Sequence, residues 1–210
     1  MSSLWLGSDR LGWPTLGDKQ RTTWQLWPVT WWHFELFVAD GGLANSDYEA
    51  ILSRSDVKRP AIGRVTAKTA QLRGVSSEQA LEFAKWLGEG WRLPTDDEWC
   101  QFLHSVLDVD PLELAEKLSS IGASSNDYVL RMVTLKLVNN IAAHESMDEL
   151  LLLGRYAYEW VTLGPRNALR GSNLANSGIL SFVGDREPVQ PLPGMLDRVL
   201  PFCGLRLVHS

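Results

Sequence analysis

The sequence predicts an α+β fold, and three observations predict it. Two helix starts are written as capping boxes, Ser76 with Gln79 and Thr95 with Glu98. The segments 1–27 and 156–208 read as short strands broken by glycine and proline. Between them, 108–153 is patterned as helix throughout. A chain of 210 residues buries one core of ordinary size, so the expectation is a single domain, 1–210, with a helical insertion at about 108–153.

The elements follow in order. After Pro28, the run Val29 to Asp40 predicts a short helix with Phe34, Phe37 and Val38 inward, stopped at Gly41-Gly42. Residues 43–74 read as loop, with one short strand at Ala61 to Val65. The helix capped by Ser76 carries Ala80, Phe83, Ala84 and Leu87 and ends at Gly88 and Gly90. Pro94 forces Leu93 to be extended, and the helix capped by Thr95 carries Trp99, Phe102, Leu103 and Val106. These are the two core helices. Asp110-Pro111 opens another helix, which Gly122 is expected to end. Asn126 or Asp127 caps the next, with Val129, Leu130, Val133, Leu137 and Ile141 on one stripe, and a third begins near Asp148. Strands are expected at Tyr158 to Val161, Ala168 to Arg170, Ile179 to Val183 and Leu205 to Val208, with Glu187 to Pro193 a surface loop.

Composition narrows the function. A net charge of -5 with no basic, aromatic-interleaved cluster argues against nucleic acid as the main ligand. Apolar runs such as Leu150 to Leu153 fall far short of the ~20 residues of a membrane helix. Met1 to Arg10 lacks the basic start and apolar run of a signal peptide. Two cysteines, Cys100 and Cys203, make no disulfide framework and fit a reducing cytoplasm, with a single bond between them left open. Ten tryptophans, five of them by position 31 (Trp5, Trp13, Trp24, Trp27, Trp31), predict an indole-rich core that stiffens a loop-heavy fold. Any tryptophan left exposed is a candidate binding surface.

Six pieces, in sequence order, resemble the formylglycine-generating enzyme (sulfatase-modifying factor) family, whose fold is a variant of the C-type lectin fold. Trp5-Leu6-Gly7-Ser8 is similar to its opening strand, and Pro28-Val29-Thr30 with Phe37 to Gly42 to its first helix and glycine stop. Pro60 to Thr66, Val75-Ser76 and Ala80 to Leu87 resemble the next strand and helix. Arg92-Leu93-Pro94-Thr95 with Glu98-Trp99 is the most specific piece. Glu159-Trp160-Val161 and Arg170-Gly171-Ser172 look like late strands, and Gly204-Leu205-Arg206-Leu207 like the closing one. The likeness covers about 1–103 and 154–208. It implies scaffold roles: Arg92 and Glu98 satisfying polar groups at the turn, Trp99 plugging the core, Arg206 bridging strands.

The resemblance also marks what has changed. Family members that oxidise cysteine hold copper(I) with two cysteines shortly after an Arg-Gly-Gly-Ser strand, and the corresponding stretch here, Asn173 to Asp185, contains none. A related branch, the sulfoxide synthases of ergothioneine biosynthesis, binds iron through histidines. Here His33, His104, His144 and His209 include no pair at i and i+3 or i+4, and His104 with His144 is the pair worth testing. The family's calcium run is altered to Tyr156-Ala157-Tyr158-Glu159-Trp160. Asp96, Asp97 and Glu98 read as helix-start acids that complement the dipole. No catalytic or metal site and no cofactor is expected. The reading is therefore a non-catalytic, cytoplasmic protein-binding module, an accessory subunit in a bacterial signalling or defence system such as a CRISPR-type locus. Candidate partner-binding residues are Asn173, Asn176, Phe182, Asp185 and Arg186 in the late loop, with Arg131 and Lys136 on the helical block. Two alternatives are a ligand-displaying variable protein of a diversity-generating retroelement and a metal-dependent oxidase with a relocated site.

Overall fold

In the computed structural model, residues 5–17, 22–55, 70–107, 109–124, 128, 131, 134–135, 138–139, 158–171 and 203–210 are described. Among them the chain is mixed α+β, with five helices and two sheets. The strands are β1 (Trp5–Ser8), β2 (Pro14–Gly17), β3 (Thr23–Gln25), β4 (Trp91–Arg92), β5 (Tyr158–Leu163), β6 (Arg166–Gly171), β7 (Cys203–Gly204) and β8 (Val208–His209). The helices are α1 (Trp31–Ala39), α2 (Asn45–Arg54), α3 (Ser77–Leu87), α4 (Asp96–Leu107) and α5 (Pro111–Ser124). One sheet runs β1-β2-β3-β8-β4 and the other β6-β5-β7.

The hairpin β5–β6 separates two apolar clusters because its side chains alternate between faces. Trp160 opposite Leu169 points into one cluster, with Phe34, Phe37, Ile51, Phe83 and Leu205. Val161 opposite Ala168 points into the other, with Trp13, Trp24, Trp99, Phe102 and Val208. The tryptophans largely behave as expected of a core: Trp13, Trp24, Trp27, Trp31, Trp99 and Trp160 are buried. Trp32, Trp86 and Trp91 are half-buried, and Trp5 is 49% exposed, lying across Gly7 and Gly17 of the edge ribbon β1–β2. It rests on those two glycines, which leave the room a side chain would take.

Helix starts follow their local chemistry. In α3 the Ser76 hydroxyl accepts from the Gln79 N–H, and Gln79 Oε1 accepts from the Ser76 N–H. Thr95 and Glu98 repeat the arrangement before α4. Helix α1 starts at Trp31 rather than Val29, because Val29 and Thr30 are extended and bonded to neighbours. Its buried face is Trp31, His33, Phe34 and Phe37, with Val38 only half-buried.

Three expectations are corrected. Residues 45–54, read as loop, form α2, which buries Tyr48, Ile51 and Leu52 at i, i+3 and i+4. Gly122 does not end α5; the helix continues to Ser124, and Gly122 is buried where a methyl would run into Thr134 Oγ1. It is a close-approach glycine rather than a stop. Of the strand expected at Leu205 to Val208 only Val208 is in a strand, β8, and residues 205–207 run between β7 and β8. The intervening Leu205 and Leu207 carbonyls accept from the Val29 and Gln25 N–H groups, and Arg206 turns inward. Expected elements at 61–65, 141, 148 and 179–183, and the loop 187–193, lie outside the described residues.

Candidate functional site

The motif positions converge on buried ion pairs that tie distant parts of the chain together. Arg206 sits between the two sheets. Its Nη1 donates to the carbonyls of Gln25 (3.1 Å) and Leu26 (2.5 Å). Its Nε and Nη2 donate to Glu159 Oε2 and Oε1, each at 3.2 Å. The indole N–H of Trp99 donates to Glu159 Oε2 at 2.9 Å, and the guanidinium lies 5.5 Å from the Phe102 ring. Glu159 and Arg206 are both wholly buried. A charge in that position is tolerable only when paired and hydrogen-bonded, and here both conditions are met.

The network extends to the opening turn. Gln25 Oε1 accepts from the Leu207 N–H, and its Nε2 donates to Asp9 Oδ2. Asp9 Oδ1 accepts from the Leu11 and Trp13 N–H groups, both at 2.9 Å. Burial pushes the Asp9 carboxyl above its ordinary range, outweighing the N–H groups that pull it down.

The acids at the start of α4 do more than complement a helix dipole. Asp96 forms a two-pronged pair with Arg170 of β6, Nη2 to Oδ2 being 2.6 Å and Nε to Oδ1 shorter still. Glu98 forms a second fork with Arg92, at 2.7 and 2.6 Å, and accepts from the Thr95 N–H. The Arg92 hydrogen bond, helped by that N–H, holds the Glu98 carboxyl down at about 2. Because this pair is partly exposed, it organises the turn more than it stabilises the fold. Pro94 O accepts from the Thr162 N–H, which pins the turn to β5. Leu93 is buried, and the Trp160 indole donates to Val75 O. Gly171 takes φ +105, and Gly204 lets Leu72 O approach to 2.6 Å of where a Cβ would stand. Arg92, Leu93, Pro94, Thr95, Glu98, Trp99, Glu159, Trp160, Arg170, Gly171 and Gly204 thus all lie in the two sheets, in α4 or in the turn that leads into it, and Arg206 lies between β7 and β8.

The chemistry-bearing residues outside this network are dispersed. Cys100 and Cys203 are not joined by a disulfide. Burial drives the Cys203 thiol up to about 12. His33 is fully buried, with its Nδ1 accepting from the Thr30 N–H, and burial lowers it to about 3. His104 is exposed on α4, and His209 packs against Trp91. Among the described residues no group of three or more His, Cys, Asp or Glu side chains is placed to hold a metal ion. His144 and Tyr156 lie outside them.

The helical block packs on the core through Leu114 and Leu118 of α5 and through Val138. Large apolar side chains on it remain exposed: Leu112 of α5 is 71%, and Tyr128 and Leu135 further along are 65% and 54% exposed. Tyr128 and Leu135 are both helical and stand at i and i+7, a spacing that puts them on one side of a helix; exposed Arg131 lies between them. Of the candidate partner-binding residues, Arg131 is described and solvent-facing; Lys136, Asn173, Asn176, Phe182, Asp185 and Arg186 lie outside the described residues. Sequence reasoning passed over Leu112, Tyr128 and Leu135, although Leu112 is visibly out of phase with Leu114 and Leu118. Among the described residues no helix is long and apolar enough to cross a membrane. No protein-family model matches the sequence, and no curated protein matches it.

Proposed function

We propose that this chain is a non-catalytic protein-binding module on a lectin-like scaffold of the formylglycine-generating type, an accessory subunit in a bacterial signalling or defence system. The observation that carries the reading is that Tyr128 and Leu135 of the helical block, and Leu112 of α5, remain exposed while Leu114, Leu118 and Val138 are packed on the core. Exposed apolar side chains of this size on an anchored element are what a docking partner covers. The scaffold side of the reading draws support from the ion pairs of Arg92, Arg170 and Arg206, which engage the motif acids Glu98, Asp96 and Glu159 in holding the fold. In the alternative with a relocated metal site, Cys203 would have to give up a proton that burial holds tightly.

Affinity capture from the native host tests it, using the full chain and the variant Tyr128→Ser/Leu135→Ser. The expected result is a stoichiometric partner retained by the parent chain and lost by the variant at unchanged thermal stability. Capture that ignores both substitutions, or copper or iron bound one per chain, overturns the reading.

A further inference from the structure

We draw no further inference here: the strongest candidate, the surface patch on the five-stranded sheet where half-exposed Trp5 lies over Gly17 in a row continued by Thr23, His209 and Trp91, carries nothing because nothing in the structure shows what covers it.

Discussion

Arg206 and Glu159 meet through two 3.2 Å hydrogen bonds with neither side chain reaching solvent, and the same arginine holds the carbonyls of Gln25 and Leu26. One side chain therefore joins the two sheets to each other. Removing the guanidinium strands a carboxylate in the core. Arg206→Met is expected to cost about 3–5 kcal/mol in urea unfolding. Arg206→Met with Glu159→Gln should recover part of that loss, because no charge is left unpaired. A double variant as unstable as the sum of both singles would argue against a coupled pair.

Gly122 yields a test of opposite sign to helix propensity. In a free helix position Gly→Ala gains about 1 kcal/mol. Here the new methyl meets Thr134 Oγ1, so Gly122→Ala should destabilise by about 1–3 kcal/mol. Adding Thr134→Ala should return much of it. A stabilised single variant would show that Gly122 and Thr134 stand further apart.

The pH dependence has a definite direction. His33 is held at about 3 in the fold against an ordinary value of 6.5, so the unfolded chain binds the extra proton between those limits. Its contribution is fully present above pH 6.5 and is lost as the pH falls toward 3, at a slope of at most about 1.4 kcal/mol per pH unit. His33→Phe should be less stable at neutral pH, through loss of the bond from the Thr30 N–H, yet flatter from pH 6.5 to 4.5. Asp9, with its carboxyl raised above the ordinary 3.8, acts in the opposite sense above that pH, but in both proteins alike, and cancels in the comparison. Parallel pH profiles would mean that His33 does not stay neutral.

Helix α3 rests on its reciprocal cap. Ser76→Ala removes the acceptor for the Gln79 N–H and is expected to cost about 1 kcal/mol. Ser76→Asp should fold as well as the parent chain. Equal loss in both variants would assign Ser76 a packing role instead.

How much of this was legible in the sequence varies by element. The helices opening at Ser76 and Thr95 were, because caps and apolar spacing are local signals. Helix α2 was not: Ala44 offers no side-chain cap, and its buried face is only Tyr48, Ile51 and Leu52. Gly122 was misread because a glycine that admits a neighbour and a glycine that ends a helix look the same in one dimension. Arg92 with Glu98 lies six residues apart and was foreseeable. Asp96 with Arg170 and Glu159 with Arg206 are separated by 74 and 47 residues, and nothing in a single sequence pairs them. The exposure of Leu112, Tyr128 and Leu135 was missed for a related reason. Which side of a helix is covered depends on what the rest of the chain brings to it.

Strand β8 lies between β3 and β4, although it follows both of them by more than a hundred residues. During synthesis the opening ribbon must therefore wait, its inner edge unsatisfied, until Val208 and His209 have emerged. A nascent chain stalled upstream of them would display that open edge to chaperones and proteases, so cellular yield should track the speed of late elongation as well as equilibrium stability.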